Sequence, residues 1–540
     1  MIENNWDDYG HSTTFNTACR IGGEILDLGS VKILFEGKLS SGGVLREAVA
    51  AGWDGVFPVE GPSYISVPTE ISFYEQLVSS LGEDEASAIA IALRDASYLI
   101  ELRNDDEAKR MSMTPGFESS LQRERGAQNA FQDGWKAFAK QTATANNLGF
   151  RFVDSNGELQ EIVLTYRSPS LLPHDINVLI GANGIGKSQL LHQIVRDWID
   201  DDTGKATGAP GFITRPSLSQ IVVLSYSPFE RFPIAMAKDG IQDQDAYRYF
   251  GLRGPTGQAD GGVNDDVLSL DVPKAATAKS LLACVSDDIR FRAMKAWAKK
   301  VTTAEEVLKS AFDFDFAAVE VDKGDPEEIA SKPLMRPHPV FDGPNGEQFV
   351  RISSRDLAHL APEAIAERIR AGTGVVFFKD GSQLHLSSGQ RLFSYIIINL
   401  LGIMRRNSLI LIDEPELFLH PTLEIQLVDM LKEILKQFNS KALFATHSIV
   451  TVREIPADCV HVFVGTDDGI VIQKPPFQTF GGDIQRITSY VFGDRAVSKP
   501  FESWIKDQLS QRSATELISL LRHELNEEMI IQIHAIGRKS

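Results

Sequence analysis

A chain of 540 residues is too long for one hydrophobic core, so two or three domains are expected. Hydrophobic residues at 43% and charged residues at 24% suit a soluble globular protein, and no apolar run reaches the roughly 18 residues of a membrane span. A net charge of −19 argues against a surface built throughout for nucleic acid, although a local basic groove, or one completed by a dimer, would not show in that total.

The N-terminal stretch, Met1-Ile-Glu-Asn-Asn-Trp-Asp-Asp8, is acidic and polar with no secretory signal, so a cytoplasmic location is expected. Cys19, Cys284 and Cys459 lie far apart, form no metal-ligand spacing, and fit buried thiols in a reducing compartment. Residues 1–140 predict a small α+β domain without a catalytic signature, and its role stays open. Glu24 to Glu36 suggests two short strands around the Gly29-Ser30 turn, and Tyr64 to Val67 a further strand. Ser72 to Leu81 and Glu83 to Leu102 predict helices; the second places Ile89, Leu93, Ala96 and Ile100 on one face. Met113-Thr-Pro-Gly116 breaks the pattern, and Ala127 to Thr142 predicts a linker helix.

Strand character returns at Leu159 to Tyr166 and again at Ile176 to Ile180. The second run meets Gly181-Ala-Asn-Gly-Ile-Gly-Lys-Ser188, which opens the apolar-periodic segment Gln189 to Trp198. Strand, glycine loop and helix in series are what a phosphate-binding loop requires. Gly181, Gly184 and Gly186, with Asn183 between them, let backbone N–H groups crowd around phosphate oxygens. The helix from Ser188-Gln189 turns its positive end toward those oxygens. Lys187 is placed to reach the β- and γ-phosphates, and the Ser188 hydroxyl to ligate Mg²⁺. The chain is expected to bind and hydrolyse ATP with Mg²⁺.

A second buried strand, Gln220 to Ser225, runs into Tyr226-Ser-Pro-Phe-Glu-Arg-Phe232. Ser225 and Ser227 are candidates for the site, and equally residues of an ordinary strand exit at Ser-Pro. Residues from about 233 to 385 form an insertion predicted to be largely helical, with helices over Ala275 to Lys309 and Ser354 to Ala371. No sustained heptads indicate a coiled-coil arm. Asp260, Asp265 and Asp266 do not match calcium-loop spacing and read better as a solvated acidic loop. A hairpin, Val375 to Phe378 and Gln383 to His385 around Lys379-Asp-Gly-Ser382, closes the insertion.

Leu386-Ser-Ser-Gly-Gln390 then opens the helix Arg391 to Met404. Ser387, Ser388, Gly389 and Gln390 at a helix N-terminus make a second anion cradle. Four apolar residues, Leu409 to Ile412, suit a central parallel strand ending in Asp413-Glu414. Asp413 is where a Mg²⁺-organising carboxylate belongs, and Glu414 is the candidate general base for the hydrolytic water. Glu416 is expected to support the turn. A helix from Pro421 to Gln437 leads to the strand Lys441 to Thr446, whose end places His447 to donate to the γ-phosphate and orient the water.

Taken in order, these blocks resemble the ABC-type P-loop ATPases, with Ser388 where a glycine is commoner. The resemblance implies an α/β head over about 150–473, preceded by the 1–140 domain and followed by a helical tail over 474–540. It implies that Ser387 to Gln390 act on nucleotide held by a partner protomer in a homodimer or higher oligomer, with His420-Pro421 contacting that partner. The glutamine this class places after the second buried strand is missing here. Asp413-Glu-Pro-Glu-Leu-Phe-Leu-His-Pro421 with Ala445-Thr-His-Ser448 resembles the OLD/SMC-like ATPases of bacterial anti-phage defence. Ser227 to Phe232, Tyr249 to Arg253, Val452 to Pro456, Phe480 to Asp483 and Val491 to Gly493 are similar to the PtuA-type ATPases of Septu and retron systems. That likeness implies a separate effector from the same operon, such as an HNH nuclease or toxin, with nucleic acid contacted indirectly if at all. About seventy residues follow the head, from Lys499 expected as two helices, with no Glu and Asp-x-Asp set of Toprim order; Asp467-Asp-Gly469 reads as a turn. An SMC-like DNA-repair ATPase and an OLD-like nuclease are the alternative readings.

Overall fold

Seven strands form the central sheet in the order Tyr247–Phe250, Gln220–Ser225, Ser408–Asp413, Lys441–Thr446, Ile176–Gly181, Val460–Thr466, Gly469–Gln473. In this computed structural model the first six run parallel and only the last is antiparallel. The structure describes residues 2–3, 12–21, 24–139, 147–200, 208–234, 246–254, 267–292, 299–326, 339–370, 372–466, 469–493 and 500–537. The acidic loop with Asp260, Asp265 and Asp266, the Asp467-Asp468 part of the predicted turn, and residues 140–142 of the predicted linker helix lie outside them. The described chain divides into two units, 1–481 and 482–540.

The apolar runs sit in mid-sheet because both faces are covered: Ile176–Gly181, Gln220–Ser225, Ser408–Asp413 and Lys441–Thr446 are buried along their whole length. Helix Lys187–Asp200 packs Leu190, Leu191, Ile194, Val195 and Trp198 into the same core. Each catalytic-looking residue therefore follows the carboxyl end of a rigid strand, where open α/β sheets place their ligands. Asp413 pairs in register with Ser225 on one side and Ala445 on the other, so the ends of three strands are level. A three-stranded antiparallel sheet, Leu159–Leu164, Leu148–Val153 and Gly211–Phe212, supplies the rest of this core.

The N-terminal region has its own core, from Phe15 to Phe138, under a four-stranded antiparallel sheet. Three expectations change here. Glu24–Phe35 is one twelve-residue strand, not two around a turn: Gly29, at φ +92°, lies beside a register shift opposite Thr17/Ala18, so the chain bulges and continues. The helix expected over Glu83 to Leu102 is broken at Arg94 (φ +51°), where the Asp95 side chain caps a new helix, Ala96–Arg103, by accepting from the Tyr98 N–H. The expected linker helix is instead Arg125–Asp133 followed by Trp135–Phe138, with Ala127, Ala130 and Phe138 built into the N-terminal core.

The insertion holds the helices Asp271–Arg290 and Lys300–Ala311, and also a five-stranded antiparallel sheet that the sequence reading reduced to one hairpin. Phe316, Phe341, Phe349 and Phe378 cluster on one of its faces. The helix predicted over Ser354 to Ala371 shrinks to a 3₁₀ turn, Leu357–His359, and Pro362–Glu367. In the unit 482–540 the tail beyond residue 499 is three helices rather than two, Pro500–Leu509, Ala514–Leu520 and Glu527–Gly537, around Ile505, Leu517 and Ile533.

Candidate functional site

The glycine loop bends where the sequence places its glycines. Gly184 (φ +74°) and Gly186 (φ +99°) adopt backbone that side chains disfavour. A Cβ at Gly181 would stand 2.4 Å from the Phe463 carbonyl oxygen, so the first glycine is required by close approach to the neighbouring strand. Lys187 begins the following helix and is 4% exposed. Its Nζ donates to the carbonyls of Gly181 (3.1 Å) and Ala182 (3.0 Å) and lies 2.9 Å from His447 Nε2. Burial pushes this ammonium down to about 8, against the pull of Glu414, Glu416 and Asp413.

Beside it, Ser188 Oγ donates to Asp413 Oδ1 at 2.8 Å. Burial raises the Asp413 carboxyl to about 7, with Glu414, Glu416 and Glu230 adding repulsion against the Ser188 hydrogen bond. Such a desolvated, negatively crowded pair of hard oxygens fits Mg²⁺, which takes few protein ligands and fills its shell with water and phosphate. Among the described residues no cluster of three or more His, Cys, Asp or Glu forms a metal cage. Ser188 and Asp413 would hold the ion, which would neutralise phosphate charge.

Glu414 takes a left-handed backbone (φ +47°, ψ +54°), pinned by its N–H to the Ala445 carbonyl at 2.8 Å. That conformation is costly for a side chain and is held by the sheet around it. His447 Nε2 lies 3.6 Å from Glu414 Oε1 and holds that carboxyl below the usual range. A carboxylate kept ionised in this way polarises and orients a water more than it strips a proton from it. Sequence reasoning understated Glu416. Its Oε1 accepts the His447 backbone N–H at 2.5 Å, while its Oε2 is buried with no hydrogen-bond partner. Lys187, Ser188, Asp413, Glu414, Glu416 and His447 thus form one constellation.

A cleft of about 820 Å³ opens from it, lined among others by Ser188, Gln189, Ser227, Glu230, Asp413 and Glu414. The two serine candidates separate here. Ser225 Oγ is buried without a hydrogen-bond partner, whereas Ser227 lines the cleft. Glu230 was not singled out by sequence. Its carboxylate accepts from Arg253 Nε (2.7 Å), the Tyr249 hydroxyl (2.5 Å) and the Phe232 N–H (2.7 Å). The segments Ser227 to Phe232 and Tyr249 to Arg253 are therefore locked to each other at the cleft wall.

Ser387, Ser388, Gly389 and Gln390 are not among the residues lining this cleft. Ser387 caps the helix Ser388–Ile403 in a reciprocal box: its Oγ accepts from Gln390 N, and Gln390 Oε1 accepts from Ser387 N. Ser387 and Ser388 are exposed, and so are Leu417 and Phe418 on the nearby turn, whose Phe418 carbonyl would stand 3.2 Å from a Cβ on Gly389.

Residues 298–453 match a family described as "AAA domain, putative AbiEii toxin, Type IV TA system". A curated relative, protein ea59 of Escherichia phage lambda, is 35% identical over 109 residues; the match spans 20% of this chain and 21% of that one. Among solved structures, the SMC head domain from Thermotoga maritima is 10% identical over 62% of this chain and 100% of its own, with a TM-score of 0.28. An SMC head bound to the C-terminal winged-helix domain of ScpA is 11% identical over 62% and 97% (TM-score 0.32). UvrA2 from Deinococcus radiodurans is 13% identical over 68% and 41% (TM-score 0.27). Scores this low transfer no function. Strand order, the glycine loop and the Ser188–Asp413 pair give this α/β chain a P-loop ATPase fold, and residues 298–453 of it match the AAA-domain family.

Proposed function

We propose that the chain is an ATP-driven regulatory subunit of a cytoplasmic anti-phage defence complex, working as a nucleotide-sandwich homodimer that controls a partner effector. The observation that carries the dimer is the separation of the two anion cradles. Lys187 and Ser188 belong to the constellation with Asp413, while Ser387 and Ser388 stand exposed, and Gly389 and Gln390 partly exposed, at another helix terminus. An exposed helix N-terminus beside apolar Leu417 and Phe418 suits a second protomer bringing its own nucleotide. In that arrangement Lys187 and the loop amides of one chain bind the phosphates. Ser188 and Asp413 hold Mg²⁺, Glu414 and His447 orient the water, and Ser387 and Gly389 of the second chain close over the γ-phosphate.

Control of a separate effector is supported by the toxin-system wording of the matched family and by the Asp413 to Pro421 string. No helix of the described residues is long and apolar enough to cross a membrane, which gives no support to a transporter role. The test is a pull-down of the tagged chain expressed with its neighbouring genes, with and without Mg·ATP. A nuclease or toxin retained or released according to nucleotide is expected. A chain that comes down alone and cuts DNA with Mg²⁺ would contradict the proposal and favour a nuclease.

A further inference from the structure

Two helices meet where the His420–Pro421 turn approaches the constellation around Lys187. His420 caps the helix Pro421–Gln437, and its carbonyl accepts from Leu423 N (2.7 Å) and Glu424 N (3.1 Å). Glu424, in that first turn, is 5% exposed and its Oε2 accepts the Ser448 hydroxyl proton. The same Ser448 oxygen accepts from Thr451 N at 3.2 Å and so caps the helix Ile449–Arg453. Ser448 directly follows His447, whose ring touches Lys187 and faces Glu414. Further along, Lys432 Nζ donates to the Glu454 carbonyl at 3.0 Å, so the two helices are tied at both ends of the shorter one.

A carboxylate is costly to bury unless it is hydrogen-bonded, and the Ser448 hydroxyl supplies that bond to Glu424 here. Desolvation, and then the nearby Glu416, raise its carboxyl, against the Ser448 hydrogen bond. Its carboxylate is turned to the Ser448 hydroxyl. What it fixes is the hydroxyl that caps the His447 helix, and through that cap the position of the imidazole.

We infer that Glu424 is a positioning residue for ATP hydrolysis: it links the His420–Pro421 turn to His447 through Ser448. Movement of that turn on dimer closure is thereby passed to the ring facing Glu414. The inference rests on the ATPase reading and on the partner-facing role proposed for the turn.

The test is steady-state ATP turnover and ATP binding by the full chain carrying Glu424→Ala, Glu424→Gln, Ser448→Ala, or Glu424→Ala with Ser448→Ala. Glu424→Ala is expected to lower kcat on the order of tenfold with ATP affinity unchanged. Glu424→Gln, whose amide oxygen still accepts the hydroxyl, should keep most of the activity, and the double variant should be no slower than the slower single one. A generally weakened fold would lower binding and turnover together, and Gln would not rescue it; that outcome overturns the inference. Additive losses in the double variant, or wild-type kcat in Glu424→Ala, overturn it too while leaving the ATPase reading intact. A wild-type chain that binds ATP without turning it over removes that reading, and the inference falls with it.

Discussion

Lys187 and Asp413 are two buried charges of opposite sign in one constellation. Both are displaced toward neutrality, Lys187 down to about 8 and Asp413 up to about 7. The signs follow from linkage. Between about pH 4 and 7 the folded chain keeps a proton on Asp413 that the unfolded chain has lost, so this group's contribution to stability declines as pH rises through that window. Mg²⁺ should expel the proton, and triphosphate should draw one onto Lys187. Calorimetric titration of Mg·ATP in buffers of different ionisation heat is expected to find net proton release near pH 6 and net uptake near pH 8.5. Equal proton counts at both would contradict these assignments. Lys187→Ala should weaken ATP binding by at least about a hundredfold, since the phosphates lose their principal buried cation. Glu414→Gln should bind ATP normally and lose hydrolysis by about two to three orders of magnitude, read by single-turnover phosphate release.

At the scale of elements, the legible parts of the sequence were those whose local chemistry allowed one answer. Gly181 to Ser188 could only be a bent loop between strand and helix, and Ser408 to Asp413 only a strand buried on both faces. The order of cradle, acidic strand end and histidine marks the ATPase region in the sequence itself. What stayed hidden was set at long range. Glu230 acquires meaning only when Tyr249 and Arg253 fold back onto it, 19 and 23 residues away. Glu424 meets Ser448 across 24 residues. Phe316, Phe341 and Phe378 look like scattered aromatics until the five-stranded sheet gathers them. The break at Arg94 depended on Asp95 preferring a cap to the middle of a helix, a signal present in the sequence and outweighed by the apolar stripe. At this scale Ser387→Arg should leave nucleotide binding to Lys187 and Ser188 unchanged, checked by equilibrium binding, while placing bulk and charge at the cradle proposed to close on a partner.

Across the whole unit 1–481, the N-terminal region is bound into the head by more than surface contact. Arg125 stacks on Trp198 with its guanidinium carbon 3.8 Å from the ring centroid, and its Nη2 donates to the Trp198 carbonyl. Asn129 Nδ2 donates to the Leu218 carbonyl at 2.6 Å, and Arg405 and Arg406 pair with Glu70 and Glu75. Trp198, 2% exposed, sits on the phosphate-loop helix, so Trp198→Ala should cost about 3–5 kcal/mol and lower the melting of both regions in one transition. Two separated calorimetric transitions would show that the regions fold independently. Light scattering after gel filtration of Glu414→Gln reads the pairing of two copies of this molecule. With Mg·ATP the mass should double relative to the nucleotide-free chain, and Glu414→Gln carrying Ser387→Arg should bind ATP yet stay at the smaller mass. A Glu414→Gln chain saturated with ATP whose mass does not change would contradict the sandwich.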